Sequence, residues 1–395
     1  MTNWDDHLAS RVWDVRGSRE DSPFIRLLAL TKGKDQLISL GRGDPDLPTP
    51  AHVVEAAIEA LRAGKTKYTV PAGLLELRQA IARKLRDENE LEYDPEHEIV
   101  VTSGTQEAVN VVLQALIDPG DEVILPDPYY MAYFQAIRAS GGVAKVVTTT
   151  LEDNFVVRPE AIEAAITERT KAIIMVSPSN PTGTVIDPET ARRIAAIAVQ
   201  HDLVVISDEL YEHVVFDGAT VTSMAALPGM RERTITVNGF SKAFNMTGLR
   251  VGYFAAPATF VGAALELRHM LSICASSVSQ YAALAALDGP TDALHEALTT
   301  YRERRELMLS ALREQGVPCN RPEGAFFVFA DIRRTGLASF DFCVELLEQE
   351  QVQVFPGTQY GAGGEGFVRI SFLTPIEQLA EALERFGRFY HQRAS

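Results

Sequence analysis

Short apolar segments alternate with longer amphipathic segments from about residue 99 onward. The segments predicted to be strands are rich in valine and isoleucine and apolar on both faces: IVVT (99–102), EVIL (122–125), VAKVV (143–147), KAIIMV (171–176), LVVIS (203–207), TITV (234–237) and VGYFAA (251–256). Between several of them, as at 107–116 and 188–201, apolar residues recur every three or four positions, which indicates amphipathic helices. Strands of this kind are typical of a sheet that helices cover. The pattern predicts an α/β fold with a mainly parallel sheet flanked by helices.

The two ends of the chain have a different pattern. Residues 1–47 are rich in loop residues and contain GRGDPDLPTP, in which prolines cluster as they do in linkers. Beyond Pro290, further helical and strand-like segments follow at 291–315, 325–331, 339–350, 352–355, 367–371 and from about 375. We therefore predict a large domain at residues 48–289 and a smaller α+β domain formed by residues 1–47 and 290–395.

Five predicted strands run directly into polar clusters at their carboxyl ends. The clusters are SGTQ (103–106), PDPYY (126–130), SPSNPTG (177–183), SDELY (207–211) and NGFSK (238–242). In an open α/β sheet, ligands bind outside the carboxyl ends of the strands, so we expect these clusters to build one site. A single polar cluster is often only a loop, but five with related chemistry favour a functional site.

The residue types in these clusters suit a phosphorylated aromatic ligand. Ser103-Gly104-Thr105 opens a predicted helix, and free N–H groups there suit a phosphate, although serine or threonine at this position is commonly only a cap. Asp208 follows an apolar strand, where a buried carboxylate needs a partner such as a protonated ring nitrogen. Lys242 lies at a strand end instead of on a helix face, and Tyr130 could stack on a ring.

Composition and charge narrow the class of protein. The chain has 37 basic and 53 acidic residues and a formal net charge of −16, which argues against nucleic acid and anionic membrane surfaces as partners. The three cysteines, Cys274, Cys319 and Cys343, form no metal-binding motif or disulfide framework, so we expect no metal site and a reducing compartment. The amino terminus has no apolar export segment, and no run approaches a membrane span. A cytoplasmic protein is expected.

The motifs together resemble those of the class I/II aminotransferases of fold type I. GFSKAFNMTGLRVGY (239–253) is similar to the family's lysine signature throughout. SPSNPTG, SDELY, KYTVPAG (67–73) and GRGDPDLPTP (41–50) are similar to further hallmarks, in the expected order, and the resemblance covers roughly residues 20–391. It implies a pyridoxal 5'-phosphate enzyme that moves the α-amino group of an L-amino acid to a 2-oxo acid such as 2-oxoglutarate.

The resemblance also implies a role for each matching residue. Lys242 would hold the cofactor as a Schiff base and later move the substrate's α-proton. Asp208 would keep the pyridine nitrogen protonated, so that the ring withdraws electrons. Asn180 and Tyr211 would hydrogen-bond the phenolic oxygen. The phosphate would be bound by Ser103, Gly104, Thr105, Ser241 and Arg250, the last as a charged fork.

Other roles concern the ring, the substrate and a second subunit. Tyr130 would stack on the cofactor, with Tyr133 a less favoured candidate and Tyr129 also open. Arg369 in FVRIS would bind the substrate's α-carboxylate, because an arginine on an apolar strand needs a partner. Gly43 and Asn180 would lie beside the substrate. Tyr68 of KYTVPAG would reach a phosphate in the neighbouring subunit, which implies a homodimer with shared active sites.

The choice of substrate stays open at this point. Some aspartate-using relatives carry a lysine after the glycine of the phosphate cradle, where this chain has Thr105. Another branch uses an arginine of the partner subunit from the region just before ASSVSQ, where this chain has Arg268 and His269. A neutral or aromatic donor is favoured over aspartate. The alternative activity is a carbon–sulfur β-lyase of the same fold, whereas a transcriptional regulator would need an additional basic helical module.

Overall fold

The computed structural model describes residues 7–9, 12 and 23–394 of the 395-residue chain. Its first elements are α1 (Pro23–Leu30), β1 (Ile38–Ser39), α2 (Ala51–Arg62) and α3 (Leu75–Asn89). Alternating strands and helices follow: β2 (Ile99–Thr102), α4 (Thr105–Leu116), β3 (Glu122–Asp127), α5 (Met131–Ala139), β4 (Val143–Thr148), α6 (Pro159–Ala165), β5 (Thr170–Val176), α7 (Pro188–Gln200), β6 (Val204–Asp208), β7 (Thr234–Gly239) and β8 (Gly252–Ala255). The last elements are α8 (Ala258–Ser272), α9 (Ser277–Asp288), α10 (Asp292–Glu314), β9 (Phe327–Asp331), α11 (Ser339–Glu350), β10 (Val352–Gln353), β11 (Phe355–Pro356), β12 (Phe367–Ser371) and α12 (Ile376–Ala394).

The central sheet has seven strands in the order β2-β8-β7-β6-β5-β3-β4. All neighbours pair in parallel except β8, which is antiparallel to both β2 and β7. One face packs against α4, α5 and α8, and the other packs against α3, α6, α7 and α9. The α/β fold with a mainly parallel, helix-covered sheet is therefore confirmed.

A second, antiparallel sheet in the order β11-β12-β9 packs against the carboxyl-terminal helices. The amino-terminal segment joins this part of the molecule, since β1 pairs in parallel with β10. The N–H of Leu40 donates to the Gln353 carbonyl at 2.8 Å, and the N–H of Ser371 donates to the Leu40 carbonyl at 2.6 Å. This pairing agrees with a small domain that includes both ends of the chain. Its boundaries stay a prediction, and residues 1–6, 10–11, 13–22 and 395 lie outside the described residues.

Most strand predictions agree with the structure, but two do not. Strand β4 was expected to be apolar and buried on both faces, yet Val143 and Val146 are 48% and 40% exposed. The reason is its position, since β4 is the edge of the sheet and has β3 on one side only. The segment VQVF was expected to be one strand, and it divides into β10 and β11, which pair with different partners.

The carboxyl ends of the parallel strands face the second sheet. The N–H of Tyr129, just after β3, donates to the Tyr360 carbonyl at 2.7 Å. The N–H of Gly363 donates to Asp127 at the end of the same strand, at 2.9 Å. Since these contacts fix residues 360–363 against β3, the second sheet is held over the edge where the polar clusters lie. Within the described part of the chain, no helix is both long and apolar enough to span a membrane.

Candidate active site

A cavity of about 760 Å³ lies between the carboxyl edge of the large sheet and the segments around residues 37–44 and 353–369. Each of the five predicted strand-end clusters contributes to its wall. The contributing residues are Thr105, Gln106, Tyr130, Asn180, Asp208, Leu210, Tyr211, Ser241 and Lys242. The expectation that the five clusters converge is therefore confirmed.

Lys242 follows β7 and directs its amine into this cavity. Its Nζ donates to the Gly43 carbonyl at 2.5 Å. Burial lowers the pKa of Lys242 to about 8, an effect to which Arg369 and Arg250 add and which Asp44 opposes. The lowered pKa makes the neutral amine, the form that a nucleophilic lysine requires, far more abundant near neutral pH than on an ordinary lysine.

Asp208 ends β6 and is buried. The hydroxyl of Tyr133 donates to its Oδ2 at 2.6 Å, and the N–H of Leu210 donates to its Oδ1 at 3.1 Å. Burial raises the pKa of the Asp208 carboxyl, and these two hydrogen bonds only partly offset the burial. A buried carboxylate in this position is stabilised by a cationic partner, and a protonated ring nitrogen is one.

An anion cradle is formed where α4 begins. Gly104 has a φ of +79°, and a Cβ on it would lie 2.6 Å from Nη2 of Arg250. Glycine therefore allows the guanidinium to approach the first turn of α4, whose N–H groups and dipole attract anions. Nη1 of Arg250 donates to the Thr247 carbonyl at 3.1 Å, and Ser241 and Thr105 line the adjacent cavity wall. This donor set fits a phosphate monoester.

The three tyrosines after β3 have different surroundings. Tyr129 stacks on Phe134 with ring centroids 5.8 Å apart and is absent from the lining of the large cavity. Tyr133 lines the cavity, but its hydroxyl is bound to Asp208. Tyr130 also lines it, edge to face with Tyr133 at 5.8 Å. The ring of Tyr130 is therefore the one best placed to stack on an aromatic ligand.

Arg369 lies on β12 and is only 5% exposed. Its Nη1 donates to Oδ1 of Asn180 at 2.9 Å, and its Nη2 donates to the Gly41 carbonyl at 2.7 Å. The guanidinium also lies over the rings of Phe327 and Tyr360, at 4.1 and 4.7 Å. Its Nε is buried and has no hydrogen-bond partner among the described residues. A buried cation that keeps an unused donor can bind a carboxylate.

Asn180 and Tyr211 line the same cavity as Asp208 and Arg369. Because Oδ1 of Asn180 accepts from Arg369, the amide N–H₂ of Asn180 remains a donor. Tyr211 is 4% exposed, and within the described part of the chain no side chain or backbone group hydrogen-bonds its hydroxyl. Burial raises the pKa of Tyr211, so this hydroxyl keeps its proton and can donate it in a hydrogen bond.

Some residues singled out in the sequence lie outside the cavity lining. The N–H of Ser103 donates to Glu107 at 2.5 Å, so that group is already used within the chain. Tyr68 is 79% exposed and contributes nothing to the cavity of its own chain. Arg268 is fully buried, donates to the Pro71 carbonyl and does not line the cavity of its own chain.

The sequence matches the family profile of class I and II aminotransferases over residues 35–386. It is 42% identical over 374 residues to an aspartate aminotransferase of Pyrococcus abyssi, covering 94% of this chain and 96% of that protein. The chain belongs to this aminotransferase family. An aromatic-amino-acid aminotransferase of Thermococcus litoralis is 40% identical, with 94% and 96% covered. A solved aromatic aminotransferase of Pyrococcus horikoshii has 43% identity and a TM-score of 0.89, with 93% of this chain and 99% of that one covered.

The aminotransferase uses pyridoxal phosphate, as its family does. The residues present fit this cofactor on grounds independent of the family. The cradle at Gly104 and Arg250 is shaped for a phosphate, and the ring of Tyr130 lines the cavity. Asp208 is a buried carboxylate that forms no ion pair with any described residue. The amine of Lys242 faces the same space.

Sequence reasoning missed several residues of the aminotransferase cavity. Arg42 and Asp44 line it and are immediate neighbours of Gly43, which was identified, so their motif could have indicated them. Leu28, Thr31, Leu37, Gln353, Phe355, Gln359 and Tyr360 also line it. These come from α1 and the residue after it, from the segment before β1, and from β10, β11 and the segment after β11, where no local pattern points to the cavity.

Proposed function

We propose that this aminotransferase moves the α-amino group of an L-amino acid, neutral, aromatic or aspartate-like, to a 2-oxo acid such as 2-oxoglutarate. The observation that supports this most directly is the pairing of Lys242 with Arg369 in one cavity. An amine with a pKa of about 8 lies in the same space as a buried guanidinium with an unused donor. Both half-reactions present an α-carboxylate next to the reacting carbon, and one guanidinium serves both.

Each residue of the site has a proposed task. Arg369 binds the α-carboxylate, and Asn180 and the Gly41 carbonyl hold the guanidinium in place. Lys242 holds the cofactor covalently and, once released from it, moves the proton at the substrate's Cα. Its hydrogen bond to the Gly43 carbonyl holds the amine in the cavity before it reacts.

Pyridoxal phosphate, when bound, supplies an aldehyde that carries the amino group and a ring that withdraws electrons from the substrate's Cα. Asp208 keeps a proton on the ring nitrogen, and Tyr133 fixes the orientation of that carboxylate. Asn180 and Tyr211 donate hydrogen bonds to the phenolic oxygen. Tyr130 packs on the ring. The phosphate is bound by Gly104, Thr105, Ser241 and Arg250, with Ser103 contributing to the turn before α4.

A panel of amino donors against 2-oxoglutarate, oxaloacetate and pyruvate tests the reaction. Transamination requires that an amino acid product appears in proportion to the oxo acid consumed. Release of pyruvate and ammonia from cystathionine without an oxo acid would instead indicate the carbon–sulfur β-lyase. Borohydride reduction followed by peptide mapping tests the covalent link, and label on a lysine other than Lys242 would contradict it.

We further propose a homodimer with shared active sites. Tyr68 is 79% exposed, and Val70, Met270 and Leu271 are 56%, 75% and 55% exposed. The Arg268 guanidinium donates to the Pro71 carbonyl, so the segments that carry these two pairs adjoin, and exposed apolar groups that cluster favour a protein partner. Inactive Lys242→Ala and weak Tyr68→Ala protomers should form hybrid dimers in which one site carries neither change, so activity should exceed that of either parent. Verified hybrids without recovery would show that Tyr68 does not act across the interface. A cytoplasmic location also stays a prediction.

A further inference from the structure

The charged side chains of the cavity wall are Arg42, Asp44, Asp208, Lys242, Arg250 and Arg369. Most of them are engaged within the chain. Asp44 accepts from the hydroxyl of Thr247 at 2.5 Å, and the contacts of Asp208 and Lys242 are described above. Arg42 differs, since the described residues give its side chain neither a hydrogen bond nor an ion pair, and it is exposed to the cavity.

The backbone fixes where Arg42 begins. The Gly41 carbonyl accepts from Arg369, and the Gly43 carbonyl accepts from Lys242. Consecutive Cα atoms are about 3.8 Å apart, so the Cα of Arg42 lies within one residue of both contacts. Its side chain therefore starts between the group that binds the α-carboxylate and the amine that acts at Cα. A substrate held by these two groups extends its own side chain from that same region.

Among the described residues, the rest of the wall supplies no other cation for a substrate side chain. Arg250 belongs to the phosphate cradle, and Arg369 is assigned to the α-carboxylate. The polar groups elsewhere on the wall are neutral, among them Gln106, Gln353 and Gln359. In the described part of the cavity wall, Arg42 is thus the cation left for a second carboxylate. Its guanidinium can bind such a group with two parallel hydrogen bonds.

We propose that Arg42 binds the distal carboxylate of a dicarboxylic substrate, a four- or five-carbon amino acid or its 2-oxo acid. This inference rests on the proposed transamination and names its substrate class. Apolar side chains of the wall, such as Leu28 and Leu37, leave room for a monocarboxylic substrate as well. With a monocarboxylic substrate, the methylene groups of Arg42 would lie along the cavity wall and its guanidinium would stay in water.

Arg42→Gln and Arg42→Lys test the inference in the holoenzyme. With aspartate, glutamate and 2-oxoglutarate, Arg42→Gln should lower kcat/KM at least tenfold, and a tenfold change corresponds to about 1.4 kcal/mol. With alanine, phenylalanine and pyruvate, kcat/KM should change by less than about twofold. Arg42→Lys should recover part of the loss with dicarboxylates. Arg192→Gln on α7, exposed and outside the cavity, is the control for the lost charge and should leave all substrates unchanged.

A binding measurement separates this inference from the proposed function. Succinate and butyrate differ by the second carboxylate, and their dissociation constants can be followed by the visible absorbance of the bound cofactor. Arg42→Gln should weaken succinate at least tenfold and butyrate by less than about twofold. Equal effects on both anions, or on both substrate classes, would overturn the role of Arg42 while transamination stands. If no donor and acceptor pair reacts, the proposed function fails, and the succinate titration still decides whether Arg42 binds a second carboxylate.

Discussion

Replacing Arg369 with lysine keeps the positive charge but removes the planar guanidinium, which can donate two parallel hydrogen bonds to one carboxylate. Each charge-assisted hydrogen bond is worth roughly 1.5–3 kcal/mol, and a lysine ammonium cannot reproduce a bidentate pair. The substitution also removes contacts that orient the guanidinium. Arg369 donates to Asn180 and to the Gly41 carbonyl, and its guanidinium lies 4.1 Å from the ring centroid of Phe327, so a lysine would lose this orientation as well as the second hydrogen bond to the carboxylate. Loss of one such bond lowers kcat/KM by roughly 10- to 150-fold. We expect this loss for amino donor and oxo-acid acceptor alike.

The two half-reactions can be measured separately by following cofactor absorbance after mixing with donor or acceptor. Arg305→Lys provides a matched control, since Arg305 is also buried, donates to the Pro322 carbonyl at 2.7 Å and lies over Phe216. That control should lose thermal stability and keep its kcat/KM within about twofold. If Arg369→Lys lost its cofactor but used both substrates normally once reconstituted, Arg369 would be structural, and the carboxylate would bind elsewhere.

Two substitutions and one pH profile test the cofactor site. Asp208→Asn should retain the cofactor and lose about 100-fold or more in transamination, because an amide cannot keep the ring nitrogen protonated; near-normal turnover would argue against that role. Gly104→Ala places a Cβ 2.6 Å from Nη2 of Arg250, whereas Gly33→Ala meets nothing within 4 Å at a similar φ. Only Gly104→Ala should weaken the binding of pyridoxal phosphate, which titration of the apo-protein measures. If both variants lost the same affinity for pyridoxal phosphate, backbone strain and not the contact with Arg250 would be responsible. Because the pKa of Lys242 is lowered to about 8, its amine is neutral above that pH, so the rate of cofactor attachment to the apo-protein should rise up to about pH 8 and then level off. A rate still rising at pH 10 would indicate an ordinary lysine.

The sequence predicted the large sheet and its catalytic edge because both depend on local signals. A buried parallel strand is a short apolar run, and the polar residue that follows it lies at a common edge, so Asp208 and Lys242 could be placed together. The burial of β4 was misjudged because an apolar run does not reveal whether another strand lies beyond it. Apolar residues at a sheet edge have the same pattern as those at its centre.

Contacts between distant parts of the chain could not be predicted in this way. The pairing of Ile38 with Val352 joins segments that have no shared local pattern, and it brings Arg42 to the cavity. The burial of Arg268 could not be predicted from the sequence either, because its hydrogen bond to the Pro71 carbonyl forms only in the folded chain. Charged residues at such positions are indistinguishable in sequence from solvated ones.

The hydrogen bonds of residues 38–43 bear on the order in which the protein is completed during synthesis. The large sheet has all its strands by Ala255, whereas Leu40 and Gly41 find their partners on Gln353, Arg369 and Ser371. Residues 38–41 must therefore wait for more than three hundred later residues to emerge from the ribosome. A nascent chain can present the phosphate cradle and Lys242 before it can bind an α-carboxylate. Early cofactor capture would stabilise such a chain, yet productive chemistry begins only after release of the finished polypeptide.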